Sequence, residues 1–139
     1  MDTKDIKDQL SAFAESLALD TFGIRLDYSE ASIQAVERIL ADIHTDYRTT
    51  GSEVGLRGIA LEFAAYIVKV IEHHFGPADW QRDDPVFGKD TFPLQWRGST
   101  IYPYAWCLKR ILDGPADNVW SKFQAIILNH RTSGSHYTI

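Results

Sequence analysis

The segment Gly58–Ile71, "GIALEFAAYIVKVI", has apolar residues almost all the way round a helical wheel, and it constrains the fold more than any other stretch. A surface helix carries a single apolar stripe, so a helix of this kind has to be surrounded by other elements. It carries Glu62 and Lys69 and is too short for a bilayer, which takes about 20 apolar residues. The spacing predicts a helix from about Val54 to Phe75, with Ser52 as its cap and Gly76–Pro77 as its stop. That helix is expected at the centre of the molecule, and a chain of 139 residues is long enough to build a single domain around it.

On the N-terminal side, Ile6, Leu10, Phe13 and Leu17 recur at helical spacing and predict an amphipathic helix over residues 1–22, opened by Asp2 or Thr3. "GIRLDYS" follows the Gly23 break as a short strand or an extended lead-in. Ile33, Val36, Ile39, Leu40 and Ile43 mark a second helix capped by Ser29, with Glu30 well placed in its first turn. "HTDYRTTGSEVG" reads as a polar loop before the central helix.

After Pro77 the texture changes. "DWQRD", "TFPLQW" and "STIYPYA" are short, aromatic and punctuated by Pro and Gly, as three strands of a small antiparallel sheet would be. "PYAWCLKRILDG" returns to helical spacing with Pro103 in its first turn, a last helix is expected from Asp117 to about Leu128, and residues 129–139 read as a tail. The order α-α-α-β-β-β-α-α describes a single-domain α+β fold, helices on a three-stranded antiparallel sheet.

Charge narrows the function. The net charge is −5, and the N-terminal half through Glu62 holds most of the acids. Binding nucleic acid through phosphates needs clustered Lys and Arg, and no basic run here exceeds Lys109–Arg110. A nucleic-acid partner is therefore not expected, nor is a membrane, while a basic protein surface suits this field. The N-terminus lacks the basic and apolar regions of a secretory signal, and the single Cys107 cannot form an internal disulfide; both point to a cytoplasmic location.

"EHHFGPADWQRDD" is the stretch that most resembles a reactive site. His73 and His74 are neighbours, about 100° apart on a helix, so they cannot hold one metal as an i, i+4 pair does; as the last turn of a helix they complement its dipole. Asp79, Asp83 and Asp84 lack the spacing of a calcium loop, and Asp83–Asp84–Pro85 reads as a turn. Cys107 falls on the apolar side of its helix and reads as inert, and Gly51, Gly55 and Gly58 match no phosphate loop. No catalytic residue, metal or cofactor is expected. The aromatics from Trp80 to Trp106 are too many for one sheet face to bury, so one or two are expected to serve recognition. Asp79, Trp80, Asp83, Asp84, Trp96 and Tyr102 are the candidate partner-binding residues.

"LDYSEASIQAVERIL", "GIALEFAAYIVKVIEHHFGPADW" and "FPLQWRGSTIYPYAWCLKRILDGPADNVWSKF" together resemble a group of small bacterial domains similar to immunity proteins against secreted antibacterial toxins. Trp80, Pro93, Gly98, Ile101, Pro103 and Gly114 match the landmark positions, all of them turn or packing types, while "EFAAYIVKV" departs from a usual Gly-containing centre. The resemblance implies an inhibitor that binds a cognate toxin through a basic toxin face. A small enzyme or ligand-binding domain, with a pocket between sheet and central helix, is the alternative, and a structural module of a larger assembly is a third.

Overall fold

The computed structural model describes residues 3–129. Among the described residues, five α-helices and a three-stranded antiparallel sheet follow one another in the expected order: α1 Thr3–Phe22, α2 Ser32–Thr50, α3 Leu56–Phe75, β1 Asp79–Trp80, β2 Leu94–Trp96, β3 Ser99–Ile101, α4 Pro103–Leu112 and α5 Val119–Phe123. Most of the expected tail lies outside the described residues.

The apolar girdle of α3 is buried from Phe63 to Val68 without interruption, and again at Val70, Ile71 and Phe75. Its main neighbours are α1 and α4; α4 also packs on α2, which packs on α5. The sheet closes the C-terminal end of α3: Trp96 Nε1 and Arg97 Nη2 both donate to the Phe75 carbonyl, one of the groups a helix end leaves without an internal partner. Pairing of Trp80 with Leu94, and of Leu94 with Ile101, puts these three on the core face, while Asp79, Gln95 and Thr100 form the outer row. Arg97 and Gly98 join β2 to β3 with φ of 48° and 76°, the backbone of a two-residue type I′ turn.

Three expectations shift, and the open one after Gly23 resolves to its lead-in alternative. The buried face of α1 is Ser11, Ala14 and Ala18, with Leu10 and Leu17 packed at its edge, whereas Ile6 and Phe13 are 43% and 58% exposed. Small residues allow a close approach to α3, which the larger side chains of the predicted stripe would prevent. The lead-in after Gly23 forms no strand; Ile24 N–H and Gly23 N–H instead close α1 by donating to Ala18 and Leu19 carbonyls. Helix α2 continues through "HTDYRTT", because His44 Nδ1 lies 2.7 Å from the Ile111 carbonyl and Tyr47 packs on the core, and it ends at Gly51 with φ 70°. Ser52 leaves the start of α3 to Gly55, and its hydroxyl accepts from Val54 N–H.

Ser29 is likewise not the cap of the second helix, which starts at Ser32 with Ala31 before it; its hydroxyl accepts from Ser32 N–H at 3.1 Å in the turn that leads into the helix. The last helix is broken: a 3₁₀ turn at Pro115–Asp117 precedes Asn118, whose side chain caps α5 by accepting from Ser121 N–H, and π-helical turns follow over Gln124–Leu128. Buried Arg110 ties these parts together. Its Nε donates to Glu37 at 2.8 Å, and the same carboxylate accepts from Val119 N–H at 2.9 Å, linking α4, α2 and α5.

Candidate functional site: an exposed apolar tip and a charged cleft

The chain from Gln81 to Pro93 joins β1 to β2, and its shape follows from one carboxylate. Asp84 Oδ1 accepts from the N–H groups of Val86 and Phe87 at 2.7 and 2.9 Å, and its Oδ2 accepts from the Tyr102 hydroxyl at 2.8 Å. Asp84 and Gly88 exchange both backbone hydrogen bonds, so the segment between them folds into a closed tip. Below the tip, Arg82 pairs with Asp90 at 2.6 Å and Asp83 accepts from Asp90 N–H. The Phe87 and Val86 N–H groups, with the Tyr102 hydroxyl, hold the Asp84 carboxyl below the usual carboxylate range. Partial burial, reinforced by that carboxylate, raises the Tyr102 phenol.

This staple holds apolar side chains out in water. Val86 is 82% and Phe87 70% exposed. Phe87 meets Tyr102 edge-on with ring centres 5.8 Å apart, and Tyr104 does the same to Phe92 at 5.3 Å. Between these rings and α4 lies an open pit of about 380 Å³, walled by Phe87, Tyr102, Tyr104, Ala105 and Leu108, with Asp90 and Lys109 also lining it.

Of the six candidate contact residues, the structure brings Asp83, Asp84 and Tyr102 together at the tip. Asp79 is exposed on the outer face of the sheet, where it accepts from the Gln81 side chain at 2.9 Å. Asp84 is itself buried and spent on internal bonds. Trp80 and Trp96 are corrections: at 6% and 1% exposure their indoles belong to the core, each donating its N–H to a backbone carbonyl, and they offer a partner no surface. The sequence reading passed over Val86 and Phe87 as contact residues, although "DDPVFG" carried the signal. An Asp-Pro turn closed by Gly has no interior in which to bury a Val-Phe pair.

A second cluster centres on Tyr28, the aromatic residue of "LDYS". Its φ is 62°, a region that L-residues rarely occupy. Its N–H donates to Tyr66 Oη at 2.8 Å, its carbonyl lies 2.7 Å from His74 Nε2, and its hydroxyl donates to Glu15 while lying 2.6 Å from Ser11 Oγ. Burial, together with the nearby Glu15, pushes the Tyr28 phenol up to about 12 against the opposing hydrogen bond from Ser11. Ser32 joins the network through Tyr66, 2.7 Å away. Over the Tyr28 ring opens a cleft of about 680 Å³ lined by Lys7, Asp8, Asp27, Lys69, Glu72 and His73, in which Lys7 pairs with Glu72 and Lys69 with Asp8.

His74 is thus a strut between α3 and the lead-in, while the neighbouring His73 faces the cleft. Among the described residues, no three His, Cys, Asp or Glu side chains converge as metal ligands would. Cys107 is fully buried, and burial drives its thiol far above its usual range. Among the described residues, no helix is long and apolar enough to cross a membrane. No family model, curated protein or solved structure matches the chain.

Proposed function

We propose that this chain is a protein-binding domain of the immunity-protein kind, which neutralises a cognate toxin in the cytoplasm by contact through the β1–β2 tip. The observation that carries the reading is the stapled exposure of Val86 and Phe87. A loop held by one carboxylate, a bridge and an ion pair is rigid before it binds, so docking it costs little ordering entropy. The adjacent pit offers the concavity, and Phe87, Tyr102 and Tyr104 the aromatic surface, that dominate binding energy in protein interfaces.

Asp83 is exposed at the tip and Asp79 on the outer face of the adjoining sheet, and these acids suit a basic toxin face, steering its approach. The test is to pair the chain with the toxin encoded beside it and measure association at two salt concentrations. Replacing Asp79 and Asp83 by Lys is expected to slow association and weaken its salt dependence, and Phe87→Ser to speed dissociation. Unchanged kinetics in both variants would remove the tip from the interface.

The cleft over Tyr28 favours one second reading, a ligand-binding domain, because a strained backbone held by partners from two helices is typical of functional sites. The cleft is lined from α1, α3 and the lead-in between α1 and α2, and by no residue of the sheet that the sequence expected beside such a pocket. A small charged metabolite that raises the melting temperature of wild type, but not of a Lys69→Ala variant, would favour this reading.

A further inference from the structure

The pit between the tip and α4 has apolar walls, Phe87, Tyr102, Tyr104, Ala105 and Leu108, and its polar groups divide into spent and free. The Tyr102 hydroxyl donates to Asp84 at 2.8 Å, and Thr91 Oγ1 donates to the Gly88 carbonyl at 3.1 Å. The charge of Asp90 is offset by Arg82 at 2.6 Å. Two groups are left over. Among the described residues, nothing in the chain pairs with the Tyr104 hydroxyl or with the Lys109 amine, and both residues line the pit.

The free complement is therefore donor in character: an ammonium, which can only donate, and a phenol, which donates as readily as it accepts. A ligand that completes it brings an acceptor and a negative charge. Its body has to be apolar, as the walls are, and a flat ring meets aromatic walls best, edge-on or offset. At about 380 Å³ the pit is near the small end of ligand sites, with room for one ring system and a short arm. We infer that the pit is a binding site for an aromatic monocarboxylate, its ring against Phe87, Tyr102 and Tyr104 and its carboxylate accepting from Lys109 and the Tyr104 hydroxyl.

The site is formed before the ligand arrives. The Asp84 staple fixes the Phe87 backbone and the Tyr102 hydroxyl together, and Tyr104 is seated edge-on against Phe92 at 5.3 Å. Tyr104, Ala105, Leu108 and Lys109 come from one face of α4, so the ring wall and the amine keep a fixed spacing. Because the pit is open and the ligand small, the dissociation constant is on the order of 0.1–1 mM. The net charge of −5 opposes an anion only at long range, where salt screens it. A bound carboxylate covers rings that the tip would offer a toxin, but the site itself is read out with no toxin present, so the two readings fail separately.

Amide NMR of the whole chain tests this, in titrations at about 0.15 M salt with indole-3-acetate and with tryptamine, which carries the same ring on a cation. Indole-3-acetate is expected to give saturable shifts at the Tyr104, Ala105 and Leu108 amides, and tryptamine to bind at least about fivefold more weakly. Lys109→Glu reverses that preference, a gain for tryptamine that misfolding cannot produce. Tyr104→Phe keeps the ring, weakens indole-3-acetate severalfold and leaves tryptamine unchanged. The absence of saturable shifts, shifts centred elsewhere, a wild type indifferent to the sign of the probe, or a Lys109→Glu variant that keeps the wild-type order overturns the inference. So does a pit that ignores both probes while Lys109→Glu abolishes toxin binding, which would give the pit to the toxin and leave the proposed function standing.

Discussion

The tip at Asp84–Gly88 and the knot at Tyr28 both rest on a few hydrogen bonds between a side chain and backbone or hydroxyl groups, yet their surroundings are opposite. At the tip, a carboxylate curls a short loop around itself and leaves Val86 and Phe87 in water. At the knot, two tyrosine hydroxyls, Ser11, Ser32 and Glu15 fasten α1 and α2 to the central helix, behind a cleft of paired charges. Losing bonds in the first releases only a loop, whereas losing them in the second uncouples helices. The same chemistry shapes a surface in one place and holds the fold together in the other.

The contrast orders the expected effects of substitution. The largest belongs to the core wall on which the sheet rests: Trp96→Ala is expected to cost about 3–5 kcal/mol in denaturant unfolding, the usual result for a buried aromatic. A melt within a degree or two of wild type would place the ring outside the core. Next comes the knot. Tyr66→Phe leaves the Tyr28 N–H and the Ser32 hydroxyl short of a partner, and about 1–3 kcal/mol of global stability should go with it. If only local amides respond, the knot is no stronger a fastening than the tip.

Asp84→Ala should act locally. Amide exchange of Val86 and Phe87 is expected to quicken roughly tenfold or more, while amides of α3 keep their protection. Acid should reproduce this in the wild-type chain. Because the folded carboxyl lies below its ordinary value, the staple is intact above about pH 3.9 and is lost as pH falls further, through the folded value. The Val86, Phe87 and Tyr102 resonances would report the loss, and a transition near neutral pH would contradict the assignment. The smallest effect on stability is expected from Phe87→Ser, within about 0.5 kcal/mol of wild type, since the ring is mostly in solvent. A greater loss would mean that the Phe87–Tyr102 contact supports the fold and does not merely decorate the surface.

The central position of α3, the three short strands after Pro77 and the α+β order were legible in the sequence, because each rests on local periodicity or on Gly and Pro punctuation. The turn at Asp83–Asp84–Pro85 was legible for the same reason: short-range hydrogen bonding by Asp needs no distant partner. What the tip exposes was half legible, since "PVFG" placed an apolar pair in a turn but not its distance from Tyr102.

Other features were decided only by the packed molecule. The stripe Ile6, Leu10, Phe13 and Leu17 satisfied helical spacing, yet α1 docks through Ser11, Ala14 and Ala18, because the fit to α3 depends on how closely two backbones approach. Helix α2 runs two turns past its expected end because Ile111, distant in sequence, offers its carbonyl to His44. Tyr28 occupies a rare backbone region because α1 and α3 supply partners for all its polar groups, and Trp96 is core because the end of α3 meets its N–H. The sequence by itself determined where helices, strands and turns form, through interactions a few residues long. Burial and long-range hydrogen bonding, which depend on chain segments far apart in sequence, decided which faces meet, and so which side chains remain free to bind.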